Sequence, residues 1–272
     1  MVQRIFQSVS RNISLLRSFL HLRTMIEHSH QLKVDEYRRH LLKQDKYDNP
    51  KNLNRYEMKV LSQNGEDGII REIFHRIGAQ SKVFVEIGAG DGRENNTSFL
   101  LLQGWSGFWI EGNRKAVRRI KDFYKGSIAK NQLKVTPAYV SAENITGIIN
   151  QAQIPIDFDL LSLDIDLNTY WLWNAIIELR PRVVVVEYNA NFPPDVEWVV
   201  EYDAMRTWDK SKYFGASLKA YERLGRKLGY HLVGCDLAGV NAFFVKEDLT
   251  GDCFDQPFTA ENHYEPARYF LT

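Results

Sequence analysis

Cysteine is scarce in this 272-residue chain: Cys235 and Cys253 are the only two, without metal-site spacing, so neither a disulfide framework nor a zinc motif organises the fold. An excess of charge of one sign is also missing. Lys and Arg number 35 against 34 Asp and Glu, and no basic patch interleaved with aromatics stands out, which argues against nucleic acid as a partner. No apolar run is long enough to cross a bilayer and no small-residue cleavage site follows a signal-like core, so the chain reads as cytoplasmic. Internal repeats and low-complexity tracts are absent, and His75, His231 and His263 are scattered singly, so no histidine is assigned a catalytic role. What the chain does have is 44% hydrophobic and 12% aromatic residues, enough to bury the core of one enzyme-sized α/β domain with an N-terminal extension.

The extension stands apart in composition. Residues 1–26 carry Arg4, Arg11, Arg17 and Arg23 with no acid before Glu27, and Ile5, Phe6, Val9, Ile13, Leu16, Phe19 and Leu20 recur at mostly helical spacing. This pattern predicts a basic amphipathic helix. Two roles fit it: an arm packing on its own domain or on a second subunit, as in a homo-oligomer, and peripheral docking on an anionic membrane surface. Residues 27–55 are polar and charged, with Pro50 near their end, and read as helix and linker. The expected organisation is therefore an extension over 1–55 and one catalytic domain over 56–272.

From residue 56 onward the pattern alternates as a parallel sheet with crossover helices requires. Strands are expected near 83–88, 107–111, 133–138, 159–164 and 183–188, and helices near 66–77, 95–103, 114–124, 143–151, 170–179 and 217–228. The last two strands, near 231–235 and 241–246, are joined by only Asp236 to Val240. So short a link demands an antiparallel pair, because a parallel return needs a crossover.

The chemistry concentrates in Val83-Phe84-Val85-Glu86-Ile87-Gly88-Ala89-Gly90-Asp91-Gly92, followed by a second apolar run that ends in Glu111. An apolar strand turning through three close glycines leaves backbone bare enough for a ligand to lie against it. A carboxylate at the next strand end can accept both hydroxyls of a ribose. A dinucleotide fingerprint needs Gly-x-Gly-x-x-Gly, whereas these glycines fall at 88, 90 and 92 with Glu86 and Asp91 beside them; the carboxylates would repel a diphosphate, which disfavours a nicotinamide-dependent oxidoreductase. They suit a ligand carrying a sulfonium and an ammonium. Here the chain resembles the class I S-adenosylmethionine-dependent methyltransferases. The resemblance implies a Rossmann-like three-layer sandwich with a mostly parallel seven-stranded sheet and an antiparallel edge hairpin. It also implies S-adenosylmethionine as cofactor, held by Glu86, Gly88, Ala89, Gly90, Asp91, Asn96, Glu111 and Gly112.

A second constellation is acidic. Leu163-Asp164-Ile165-Asp166 and Val186-Glu187-Tyr188-Asn189 end the fourth and fifth strands, and carboxyl ends of neighbouring central strands open into one crevice. Asp164, Asp166, Glu187 and Asn189 offer hard oxygen ligands suited to Mg²⁺, which would lower the pKa of a bound hydroxyl. A metal-free reading keeps the same residues, with Asp166 or Glu187 as general base. Bland readings exist beside both: Asp164 as a helix cap or an orienter of the cofactor's amino group, and Glu187 as an ion-pair partner of Arg182 or Arg206.

A closer likeness rests on several motifs in order. Ser62-Gln63-Asn64-Gly65-Glu66-Asp67-Gly68, Glu86 to Gly92 with Glu94-Asn95-Asn96-Thr97, Asp164-Ile165-Asp166 with Tyr170-Trp171, and Arg180-Pro181-Arg182 leading to Glu187-Tyr188-Asn189 together resemble the FkbM-type methyltransferase family, over roughly residues 56–246. Leu167 and Thr169 depart from that family's usual glycine and aspartate, and the departure also motivates a rival reading, a non-catalytic methyltransferase-fold scaffold that binds a partner. The resemblance implies O-methylation of a hydroxyl on a sugar, glycan or natural-product acceptor. It suggests that Gln63 and Asn64 contact the methionine part of the cofactor, although Ser62 or Asn64 as a helix cap explains the residue types equally well. By the same fold analogy Ser141, Ala142 and Glu143 face the adenine, or Ser141 merely begins a helix.

Asn189 to Ser217, with Trp198, Tyr202, Trp208, Tyr213 and Phe214, is too long and too aromatic for a plain connection and reads as a lid, its rings serving as core, as a subunit contact or as a substrate platform.

Overall fold

The computed structural model describes residues 2–271, with side chains from Arg17 onward. It divides into two units, residues 1–48 and 49–272. In the first, helix α1 (Val2–Leu41) has Phe19, Leu20, Leu22, Met25, Ile26 and Leu32 exposed; the side chains of Arg4, Arg11, Ile5, Phe6, Val9, Ile13 and Leu16 lie outside the described residues. Among the described residues no helix is long and apolar enough to cross a membrane.

The second unit starts before residue 56, and the reason lies in what precedes it. Leu53 sits in the core and the buried Asn54 donates its side-chain amide to Cys235 O (2.7 Å). The Arg76 guanidinium ties the same stretch down through Lys51 O (2.7 Å) and Cys253 O (2.9 Å). Backbone carbonyls that would otherwise need water thereby gain charged donors.

Seven strands, β1 (Val83–Ile87), β2 (Ser106–Glu111), β3 (Leu133–Pro137), β4 (Asp157–Leu163), β5 (Arg180–Glu187), β6 (Tyr230–Cys235) and β7 (Asn241–Lys246), form one sheet in the order β3-β2-β1-β4-β5-β7-β6. The first five are parallel; β7 runs antiparallel to both β5 and β6. The chain is thus an α/β three-layer sandwich of Rossmann-like class I type, as expected. The remaining helices are α2 (Glu66–Ile77), α3 (Ser98–Leu102), α4 (Arg114–Phe123), α5 (Lys125–Ala129), α6 (Ile145–Ala152), α7 (Thr169–Ala175), α8 (Leu218–Lys227), α9 (Glu247–Thr250) and α10 (Ala260–His263).

Strand alternation creates two cores. Val85, Ile87, Leu161, Leu163, Val184 and Val186 face one side, against Ile145 and Ile149 of α6, Leu172 and Trp173 of α7, and Tyr221 and Leu224 of α8. Phe84, Leu160, Val183, Val185 and Phe243 face the other, against Ile69, Ile70 and Ile73 of α2, Leu100 of α3 and Ile120 of α4. Burial on both faces is why β5 reads as an unbroken valine run rather than an alternating one. Because β2 and β3 extend to one side of β1 while β4 and β5 extend to the other, the strand order reverses between β1 and β4, and a crevice opens at their carboxyl ends.

α2 coincides with its expected range, whereas α3 is shorter than expected because Asn95, Asn96 and Thr97 serve β1, as shown below. At Gly68 of α2 an added Cβ would lie 2.0 Å from Tyr56 O, a backbone atom that cannot step aside. Alanine in a helix interior normally gains about 1 kcal/mol over glycine, and overpacking of this kind costs at least about 1–3 kcal/mol. Gly68→Ala is therefore expected to lower the melting temperature despite its better helix propensity, which a thermal unfolding scan checks.

Candidate active site

β1 ends in a carboxylate that the following loop surrounds. Glu86 accepts from Asn95 Nδ2 (2.6 Å), Asn96 N (3.0 Å) and Thr97 Oγ1, while Trp109 Nε1 donates to Thr97 Oγ1 (2.7 Å) and Asn96 Nδ2 to Ser162 Oγ (3.0 Å). Desolvation is the largest influence on Glu86 and, against the lowering effect of these donors, lifts its pKa to about 7. Glu86 is thus a peg that fixes the glycine turn. Gly88, at φ +88°, is where β1 meets β4: an added Cβ would sit 1.7 Å from Asp164 O, and Asp164 N donates to Ile87 O (3.0 Å).

β2 delivers Glu111, whose two oxygens are oriented by backbone amides, Gly90 N on Oε2 (2.8 Å) and Asn113 N on Oε1 (2.6 Å). Asn113 in turn caps α4 through Lys115 N and Ala116 N. The remaining lone pairs of a carboxylate held this way can accept two further hydrogen bonds.

Two cavities adjoin at Gly88, Gly90 and Asp164. The larger, about 500 Å³, is lined by Ile110, Glu111, Gly112, Asn113, Ala138, Tyr139, Val140, Ile165, Asp166, Asn168, Arg206, Thr207 and Trp208 besides those three. The smaller, about 170 Å³, is strongly acidic: Glu66, Glu86, Asp91, Glu94 and Asp164 contribute, with Gln63, Ala89, Asn95, Asn96 and Asn241. Glu86 and Glu111 therefore stand in neighbouring chambers rather than facing one another in a single cleft.

Asp164, Asp166 and Glu187 converge, each offering a carboxylate oxygen within 4.8 Å of the other two. Among the described residues no lysine or arginine pairs with any of them: Arg182 binds Asp159 and Arg206 lies by Asp209. Asp164 and Asp166 are reached by solvent through the cleft mouth, yet dense protein walls desolvate them. Desolvation, then Asp166, raises Asp164 to about 7, and desolvation, then Asp164 and Asp166, raises Glu187 well above its ordinary value. Asp166 holds φ +58°, unusual for a residue with a Cβ and of a kind found at functional sites.

Other expected residues fall elsewhere. Asn189 does not join the acids: its amide nitrogen bridges Lys212 O and Phe214 O (both 2.9 Å) and its oxygen takes Asn191 Nδ2 (2.9 Å), bracing the following segment. Asn64 is buried and serves Glu66, which also takes Asn64 N, Gly65 N and Asn241 Nδ2. Desolvation would raise Glu66, but these donors outweigh it and lower its pKa. Gly65 stands at the N-cap position of α2 without a side chain to offer, and Ser62 serves the first turn as expected, its Oγ accepting from Asp67 N (3.2 Å), while Asp67 gathers the Val60, Leu61 and Ser62 amides. Ser141, Ala142 and Glu143 do not line the large cavity; Ala138, Tyr139 and Val140 do.

Residues 189–217 contain no helix and cross over the cleft. Leu167 fills a small apolar cluster with Val200, Phe214 and Trp198, and Thr169 Oγ1 accepts from Ile165 N (3.2 Å), so both departures from the family pattern have packing roles. Sequence reasoning missed Asn168 and Tyr269, and it offered Arg206 only as a partner of Glu187, whereas Arg206 lines the large cavity. Asn168 shares a wall with Asp166, and Tyr269, in the C-terminal tail, is close enough to Glu187 that, after desolvation, this acid raises its hydroxyl pKa. Asn168, two residues past Asp166 in the acidic motif, had a visible signal; the other two are brought in by long-range folding.

No family model matches the chain, and no curated protein matches it. Solved structures do align with it. A putative caffeoyl-CoA O-methyltransferase from Staphylococcus aureus aligns with TM-score 0.47 and 13% identity over 69% of this chain and 85% of that one. The N-terminal domain of EvdMO1, crystallised with SAH and D-fucose, gives 0.45 and 14% over 81% and 96%. The glycopeptide N-methyltransferase MtfA, complexed with S-adenosyl-L-methionine, gives 0.39 and 11% over 65% and 85%.

The raised carboxyl pKa values have a stability consequence. A folded-state pKa near 7 against an ordinary 3.8 means that folded Asp164 binds its proton more tightly than the unfolded chain does. Its contribution to stability is therefore lost as pH rises from about 4 to 7. Asp164→Asn should raise the melting temperature of ligand-free protein at pH 7.5 and change it little at pH 4.5, as paired thermal scans would show.

Proposed function

We propose that the protein is an S-adenosylmethionine-dependent O-methyltransferase of FkbM type, acting on a hydroxyl of a sugar, glycan or natural-product acceptor with Mg²⁺ assistance. One observation carries this reading: three carboxylates with no basic partner among the described residues converge where Asp164 and Asp166 line a two-chambered crevice, beside an acid oriented by backbone amides.

The residues fit the implied cofactor. Glu111 has its orientation fixed and lone pairs free for a vicinal diol, and the apolar Ile110, Ala138 and Val140 with Tyr139 line the chamber where a base would lie. The acidic small chamber, with Gln63 at its edge, suits an ammonium. When bound, S-adenosylmethionine supplies an electrophilic methyl group. The chain's own part is to align a nucleophile, exclude water under residues 189–217 and hold a proton. Alignment alone can offset roughly 7–11 kcal/mol of a barrier.

The donor set of Asp164, Asp166 and Glu187 is all carboxylate oxygen and matches Mg²⁺ in hardness. Such an ion would stabilise the acceptor as an alkoxide. Without one, Asp166 or Glu187, both with raised pKa values, is the general base. Leu167 packs and Thr169 accepts a hydrogen bond in the fold, and the intact acidic cluster beside them supports an enzyme over a non-catalytic scaffold that binds a partner.

S-adenosylhomocysteine at about a hundred times its dissociation constant should add roughly 2.7 kcal/mol of stability, or about 5–10 °C for a chain of this size, while NAD should add nothing. Glu111→Ala should abolish the shift. A wild-type melting curve unmoved by S-adenosylhomocysteine would sink the reading. For the metal, Mn²⁺ titrated by electron paramagnetic resonance should bind wild type and not Asp166→Asn/Glu187→Gln; equal binding to both removes the ion from the proposal.

A further inference from the structure

The segment over the large cavity is tied to both of its walls, and a single hydroxyl makes the tie to one of them. On the β4 side, Trp171 Nε1 donates to Val200 O (2.9 Å) and Asn168 Nδ2 to Asp203 O (2.9 Å), while Leu167 packs on Val200. On the β3 side the link is Tyr202. Its hydroxyl donates to Glu143 Oε2 (2.6 Å) and accepts from Ala142 N (3.2 Å). One O–H group thus both gives and receives, and it joins the strap to the turn that follows β3.

That turn is braced within itself. Asn144 Oδ1 accepts from Ser141 N (2.8 Å) and its Nδ2 donates to Tyr139 O (2.9 Å), closing residues 139–144 into a braced loop. The Tyr139 ring lies against Gly112, where an added Cβ would come within 2.7 Å of it. Tyr139 and Val140 form one cavity wall, and Arg206, Thr207 and Trp208, a few residues beyond Tyr202 on the strap, contribute to the same cavity. The position of the Tyr202 hydroxyl therefore sets the spacing between these two groups of lining residues.

We infer that Tyr202 is a positioning residue for the nucleoside chamber: acting through Ala142 and Glu143, it holds Tyr139 and Val140 at the spacing that grips the ligand. It touches no reacting atom. The inference rests on the proposed reading of the chamber. The Glu143 carboxylate is engaged by Tyr202, the first cause of its lowered pKa, and faces the strap rather than the cavity.

The test uses the full chain and two readouts. Hydrogen–deuterium exchange of ligand-free protein should show faster exchange across residues 139–144 and 200–208 in Tyr202→Phe than in wild type. S-adenosylhomocysteine, titrated calorimetrically, should bind Tyr202→Phe and Glu143→Ala roughly five- to tenfold more weakly, the loss of one hydrogen-bonded link. The double variant should be no weaker than Tyr202→Phe alone, because losing the hydroxyl already removes the bond to Glu143 together with the one from Ala142. Glu143→Gln, whose amide oxygen still accepts from the tyrosine, should bind within about twofold of wild type. Unchanged exchange, unchanged affinity in Tyr202→Phe, or additive losses in the double variant would overturn the positioning role. Absence of binding by wild type would overturn the chamber's assignment and this inference with it, whereas a binding wild type with an indifferent Tyr202→Phe overturns the inference alone.

Discussion

Like charges held together without a countercharge are the constraint around which this molecule is arranged. Asp164, Asp166 and Glu187 are brought within 4.8 Å by the parallel register of β4 and β5, and no described lysine or arginine relieves them. Nothing in the local sequence favours such an arrangement; the sheet imposes it. Two fully buried central strands, packed on both faces, supply the rigidity that keeps three mutually repelling carboxyls in place, and desolvation first, with the repulsion added to it, raises the pKa values of Asp164 and Glu187. A cavity with that electrostatic character selects cations and protons, whatever else binds there.

The architecture was legible because its signals are local and periodic. Short apolar runs leading into Glu86, Glu111 and Glu187 marked three strands, and the short Asp236 to Val240 link forced the antiparallel hairpin. Convergence of Asp164, Asp166 and Glu187 was legible too, since strand ends of neighbouring central strands share an edge. Side-chain allegiance was not. Asn64, Glu86 and Asn189 have the residue types of ligand contacts, yet each is committed to backbone or side-chain partners that only folding supplies. An isolated motif states what a side chain can bind, and the fold decides what reaches it first.

Leu167 illustrates the same principle in the opposite direction. Judged by the family pattern, leucine in place of glycine looked like damage to the acidic motif; in the folded chain it is the seat on which Val200 and Phe214 rest. The strap over the cleft and the acid motif beneath it are in this way one packing unit, so a residue beside the chemistry determines how firmly the roof is attached.

The chain of contacts from Trp109 through Thr97 to Glu86 runs in one direction only. An indole N–H can donate but never accept, so Thr97 must receive there and turn its own hydrogen toward the acid. A tryptophan on the neighbouring strand thereby fixes the polarity of a network that ends on an acid it does not touch, and a phenylalanine there, smaller and without the N–H, would leave one side of the threonine hydroxyl unmet and the glycine turn less firmly moored.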